Sequence, residues 1–64
     1  MLSVSVVIPA YNCQKYIHQS LQSSLNQTVN EVIVIDDGST DNTQSGVMQI
    51  DSPRRRYIFL KNHG

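Results

Sequence analysis

Short apolar runs alternate along this chain with longer polar stretches that carry spaced apolar residues. Ser3 to Ile8, SVSVVI, is rich in valine and isoleucine, reads apolar on both faces in its second half and meets Pro9. That pattern predicts a buried strand with proline at its exit. Beyond Asn12, the residues Ile17, Leu21 and Leu25 recur at intervals of four, joined by Tyr16 and Ser20, with Gln, Lys and His between them. This is the single stripe of an amphipathic helix, with Asn12 or a close neighbour as its cap. Polar Asn26 to Thr28 ends it, and Val32 to Ile35, VIVI, is a second strand apolar on both faces. Ser39, Thr40 and Asp41 then supply capping hydroxyls and a first-turn carboxylate for a helix over about Asn42 to Ile50. Gly46 weakens that helix from inside. Asp51 to Pro53 breaks the chain, Tyr57 to Leu60, YIFL, reads as a third strand, and Lys61 to Gly64 looks like the start of a loop.

The order is therefore β-α-β-α-β with short connections over residues 1–64, an α/β chain built on an open, Rossmann-like parallel sheet. Strands joined through a helix run parallel, with a right-handed crossover. Such an arrangement is the opening half of a doubly wound domain. Two helices cannot cover both faces of a parallel sheet. Either the sheet is incomplete or it leaves apolar surface exposed.

Size and charge narrow the functions. A chain of 64 residues buries only ~60% of the surface that its unfolded form exposes, and one cysteine permits no internal disulfide. Marginal stability is the expectation, with folding that depends on a partner as its limit. Five basic and five acidic residues give no excess of positive charge, so a nucleic-acid partner is not expected. The first ten residues lack a basic leader, and no apolar run approaches the ~20 residues that span a bilayer. Cys13, unpaired, suits a reducing compartment. A cytoplasmic or cytosol-facing chain with no membrane segment is the reading.

Candidate chemistry gathers in EVIVIDDGST, Glu31 to Thr40, where an apolar strand runs into two adjacent carboxylates. In open parallel sheets, ligands bind beyond the carboxyl ends of the strands. Asp36, Asp37 and Gly38 end the second strand, and Pro9, Ala10, Tyr11 and Asn12 end the first, so both groups share one rim. Neighbouring side chains on a strand point to opposite sides, which makes one aspartate the contact and the other a support. An ionised carboxylate only accepts hydrogen bonds, which suits the N–H of a base imide or a ribose hydroxyl and repels phosphate. Gly38 permits a positive φ or a close backbone approach. The same residues also suit a plain strand-ending turn with a helix cap.

Three segments in fixed order tip that balance: SVVIPAYN, YIHQSLQSSLNQT and EVIVIDDGSTDNT. Together they resemble the N-terminal, nucleotide-binding part of a family 2 glycosyltransferase of the GT-A fold, over about Val4 to Gly64, with NHG at Asn62 to Gly64 matching an N-x-G after the third strand. The resemblance implies a site for a nucleotide-diphospho-sugar, a UDP-sugar foremost, formed by Pro9, Ala10, Tyr11, Asp36, Asp37, Gly38 and Ser39. In it Tyr11 packs near the base, Asp37 reaches the imide, and Asp36 supports it or meets the ribose. Asn12 fixes the loop and caps the helix. The family's D-x-D motif, which holds Mg or Mn against the diphosphate, and its general base lie downstream in the family and have no counterpart here. The resemblance thus implies no catalytic and no metal-ligating residue in this chain, no sugar transfer by it alone, and the remainder of a catalytic domain as its partner.

Other residues read more plainly. Cys13 has no histidine beside it in a nucleophile arrangement, and His18 and His63 lack metal-ligand spacing. Arg54 to Arg56 could meet a diphosphate or an anionic membrane, but three charges before a strand usually form a solvated loop. Two further readings stand beside the enzyme. A receiver-type signalling domain also places paired acids after an apolar strand, but here they follow the second strand, and YIFL ends in Lys61 and Asn62 with no phosphorylatable aspartate. The other is a truncated, non-catalytic fragment or a nucleotide-binding or interaction module.

Overall fold

The computed structural model describes residues 3–61. Asn62 to Gly64, with the N-x-G match and His63, lie outside the described residues. Five elements follow one another: β1 (Ser5–Ala10), α1 (Ile17–Leu25), β2 (Glu31–Asp37), α2 (Thr43–Met48) and β3 (Arg55–Leu60). The strands form one parallel sheet in the order β1-β2-β3, with Val6 beside Val32, Ala10 beside Asp36, Val34 beside Tyr57 and Asp37 beside Leu60. β1 does not stop at Pro9 but continues through it to Ala10. As an edge strand it has one unpaired side, which a residue without an N–H can face.

Both helices lie on the same face. Val32, Val34 and Asp36 of β2 are buried, whereas Glu31, Ile33 and Ile35 between them are not. The core gathers Ala10, Ile17, Leu21, Leu25, Val32, Val34, Val47 and Ile50 between sheet and helices. Two right-handed crossovers that step the same way across a sheet place both helices on one side. This is the layout of the opening half of a doubly wound sheet, with one face covered and the other open among the described residues. On the far face Val7 is 52% exposed, Ile58 45% and Leu60 46%. The apolar runs did report two-sided strands, and one of those sides meets solvent here.

α1 begins at Ile17, the first residue of its stripe, and Tyr16 at its N-cap makes no side-chain capping bond. Asn12 does not cap it, because its side chain is turned toward the loop before α2. The amides leading into α1 are satisfied from the other helix: Cys13 N donates to Thr43 Oγ1 (3.0 Å) and Gln14 N to Asp41 Oδ2 (3.2 Å). Gln14 Oε1 in turn accepts from Asn42 N at 2.8 Å. The segments leading into the two helices are thus held together by side chains at, or just before, the start of the opposite helix.

The arginine run is not a uniformly solvated loop. Arg54 turns its guanidinium to the carbonyls that end α1 and lead to β2: Leu25 O (2.6 Å), Val29 O (3.0 Å) and, at longer range, Gln27 O (3.4 Å). A cation there satisfies orphan carbonyls and complements the negative end of the helix dipole. Arg55 reaches Met48 Sδ, and Arg56 pairs with Glu31 at 3.3 Å on the surface, where such a pair contributes little. Arg54→Ala is expected to lower the unfolding free energy by about 2 kcal/mol, since charge-assisted bonds to half-buried carbonyls are lost. Arg54→Lys should recover only part of this, because an ammonium lacks the planar fork. Urea unfolding of the three proteins measures both; an unchanged midpoint in Arg54→Ala would refute the clamp.

Candidate functional site

The carboxyl ends of β1 and β2 and the end of β3 surround an open cleft of about 440 Å³, lined by Pro9, Ala10, Tyr11, Ile35, Asp37 and Leu60. Its position follows from register. Asp37 pairs with Leu60 and Ile35 with Pro9, and residues two apart on a strand share a face. Ile35, Asp37, Pro9 and Leu60 therefore stand together on the side that the helices leave open. Tyr11, 56% exposed, rises from the loop after β1. The cleft has apolar walls, one carboxylate and one phenol.

Of the residues singled out in the sequence, Pro9, Ala10, Tyr11 and Asp37 line this cleft, and Asp36, Gly38 and Ser39 do not. Asp36 points to the helix side and is 0% exposed. Its Oδ1 accepts from Ser39 N at 2.9 Å and its Oδ2 from the Tyr57 hydroxyl at 2.6 Å. Burial and the carboxylate it faces both push the Tyr57 phenol well above its ordinary 10.0. Gly38 adopts φ 73°, the left-handed region that favours glycine, and so turns the chain directly after Asp37. Ser39 does not cap α2: its Oγ accepts from Asn12 N at 2.8 Å.

Asn12 stands at φ 49°, which asparagine tolerates better than most residues. Its Oδ1 accepts from Thr40 N (2.8 Å) and Asp41 N (3.3 Å). The loop carrying Tyr11 and the turn carrying Asp37 are thereby laced together. Asp41 closes the lacing. Desolvation raises the pKa of its carboxyl, but the hydrogen bonds from the Thr43 hydroxyl and amide and from the Gln14 amide outweigh this and hold it below the ordinary 3.8. What it adds to stability is present above that value and is lost as the pH falls through its lowered pKa.

Tyr57, Ile35 and Leu60 were not among the residues that the motifs marked. Ile35 was readable as the residue two before Asp37 on the same face. Leu60 and Tyr57 required the register of β3, which no local pattern contains. Cys13 is half-buried and unpaired. His18 is exposed beside a separate, shallow groove between the helices, with Lys15, Asn42 and Gln49. Among the described residues, no three His, Cys, Asp or Glu side chains gather to hold a metal ion. Asp36 and Asp37, on opposite sides of the strand and with Asp36 fully engaged, do not fit a shared divalent cation. No helix among the described residues is long and apolar enough to cross a membrane.

The family model for glycosyl transferase family 2 matches residues 5–64, nearly the whole chain. The chain belongs to glycosyl transferase family 2. The parallel β-α-β-α-β sheet matches the N-terminal portion of that family's Rossmann-like GT-A fold. Among its relatives, a chondroitin synthase of Escherichia coli is 49% identical over 65 residues, covering 95% of this chain and 10% of that protein. A hyaluronan synthase of Pasteurella multocida is 46% identical over 65 residues, 95% of this chain and 7% of its own length. A third, the UDP-Glc:alpha-D-GlcNAc-diphosphoundecaprenol beta-1,3-glucosyltransferase WfaP of Escherichia coli, is 40% identical across 94% of this chain and 24% of its own. The chain thus spans a quarter or less of these relatives.

Proposed function

We propose that the cleft binds the nucleotide of a nucleotide-diphospho-sugar, a UDP-sugar by preference, and that the chain is the nucleotide-binding part of a sugar-transferring domain. The observation that carries this reading is Asp37, an exposed carboxylate at the edge of a cleft otherwise walled by Pro9, Ile35 and Leu60, with Tyr11 beside it. A uracil ring presents flat apolar faces and one imide N–H. The walls and the Tyr11 ring take the faces, and the carboxylate takes the N–H. Asp36, with both oxygens engaged, acts as the support and not as a ribose contact. Gly38 and Ser39 shape the turn. The Escherichia coli relative WfaP, whose name includes UDP-Glc, favours the same donor class.

On this reading the chain contributes binding and no chemistry. Its carboxylates do not fit a metal site, so Mg or Mn, and the general base, would be held by other residues of a complete family domain. Alone it transfers no sugar; release of UDP from a UDP-sugar by the chain would refute that. The exposed Val7 and Ile58 favour packing against the remainder of such a domain. A cytosol-facing setting agrees with the unpaired Cys13.

Titration of the chain with UDP, followed through backbone amide shifts, tests the site. Saturable changes are expected around Tyr11 and Asp37, with CDP weaker because cytosine offers no imide N–H. Asp37→Ala should weaken UDP at least about tenfold, the loss of one charge-assisted bond to ligand. Its melting temperature should barely move, since the side chain is exposed. Equal UDP affinity in Asp37→Ala would sink this assignment.

A further inference from the structure

We propose that Tyr57 is a positioning residue for the cleft: acting through Asp36 and Ser39, its hydroxyl holds the two rim loops so that Asp37 and Tyr11 face the bound base. The proposal rests on the nucleotide reading above and adds to it a residue that never touches ligand. Four hydrogen bonds run from the middle of β3 through the end of β2 to the loop after β1. The Tyr57 hydroxyl donates to Asp36 Oδ2 (2.6 Å), Ser39 N to Asp36 Oδ1 (2.9 Å), Asn12 N to Ser39 Oγ (2.8 Å) and Thr40 N to Asn12 Oδ1 (2.8 Å). The two polar-tipped residues that line the cleft each have a member of this relay as chain neighbour: Asp36 precedes Asp37, and Asn12 follows Tyr11.

The relay matters because of what lies between its members. Gly38, the hinge between Asp37 and Ser39, has more backbone freedom than any other residue type, so the turn takes its shape from tethers on either side. The bond from Ser39 N to Asp36 is the nearer tether. Asp36 is 0% exposed, and among the described residues the Tyr57 hydroxyl is the one partner of its second oxygen. Without that hydroxyl a buried carboxylate oxygen loses its donor, and the carboxylate is held through Ser39 N alone, with nothing on its other oxygen to fix its orientation. The Tyr57 ring packs against the core, so a phenylalanine keeps the packing and removes the hydroxyl alone.

Tyr57→Phe is the test, compared with the wild-type chain and with Leu25→Ala, a core variant at the far end of α1 that lowers stability without touching the relay. In ligand-free samples, Tyr57→Phe should speed hydrogen exchange at the Ser39 and Thr40 amides while the amides of Val32 and Val34 stay protected. With UDP, its Kd should rise about tenfold, as expected if the binding-competent rim falls to about a tenth of the population. Leu25→Ala should bind UDP as the wild type does. If Tyr57→Phe fails to fold, Asn12→Gly, which keeps the positive φ and removes the acceptor, takes its place with the same expected loss. UDP affinity within twofold of wild type in the folded variant, or an equal loss in Leu25→Ala, overturns the positioning role alone. A wild-type chain with no saturable UDP response overturns the nucleotide reading and the positioning role with it.

Discussion

Asp36→Ala should lower the unfolding free energy of the chain by about 3 kcal/mol, among the largest effects of any single substitution in it. The side chain is fully buried, and its two oxygens accept from Ser39 N and from the Tyr57 hydroxyl. Alanine leaves both part-buried donors without partners and opens a small void, and each donor so stranded costs about 1–3 kcal/mol. Asp36→Asn tests the chemistry apart from the volume. The amide oxygen can accept from Ser39 N while its N–H donates to the Tyr57 hydroxyl, which accepts as well as it donates, so both contacts survive without the charge and more than half of the loss should return. Tyr57→Phe, which strands one carboxylate oxygen, should cost less than Asp36→Ala. The three urea midpoints, read at constant slope, give the ranking; an Asp36→Ala protein as stable as wild type would mean that the carboxylate is not the shared acceptor.

The same pair sets an alkaline limit. The phenol of Tyr57 is held above its ordinary 10.0 in the folded chain, so its contribution is fully present below that pH. Above it the unfolded chain releases the proton first, and stability falls as the pH rises through the raised folded value. A Tyr57→Phe protein should lack this part of the alkaline loss. Steeper alkaline unfolding in Tyr57→Phe than in wild type would contradict the assignment.

What could be read from the sequence was whatever local pattern determines. The stripe of Ile17, Leu21 and Leu25 marks a helix because burial on one side demands that spacing, and all three are buried. VIVI marks a strand, and its position between two helical stretches makes it parallel to the first. The opposed roles of Asp36 and Asp37 follow from the two-residue repeat of a strand: one is buried on the helix side and the other lines the cleft. What local pattern does not hold is the choice among long-range partners. Asn12 has the chemistry of a cap, yet its acceptor serves Thr40 and Asp41, far along the chain. Arg54 looks like a surface charge until β3 brings it beside the last carbonyls of α1. Tyr57 reads as one more strand aromatic until register sets its strand against β2. The side on which the helices lie also depends on the direction in which successive crossovers step, and no residue encodes that locally.

Gly46 turns that distinction into a measurable sign. Intrinsic propensity alone says that Gly46→Ala should strengthen α2 by about 1 kcal/mol. The contact between the helices says the opposite, because a Cβ on Gly46 would sit 2.7 Å from Cγ2 of Ile17. Ile17 is buried and branched at Cβ, so that methyl cannot swing aside as the end of a long chain would. Overpacking of this kind typically costs about 1–3 kcal/mol. Gly46→Ala should therefore be net destabilising, and Gly46→Val should lose about 3 kcal/mol, since it adds two methyls to the same contact and a β-branched residue to a six-residue helix. Ile17→Leu removes the branch methyl while keeping the side chain's volume. It should cost little alone and should recover most of the Gly46→Ala loss in the double variant, a coupling that a double-mutant cycle of unfolding free energies reads directly. A Gly46→Ala protein more stable than wild type, or additive losses in the double variant, would show that the helices do not meet at this point. Glycine sits inside α2 because the two helices that cover the sheet approach each other too closely there for any side chain.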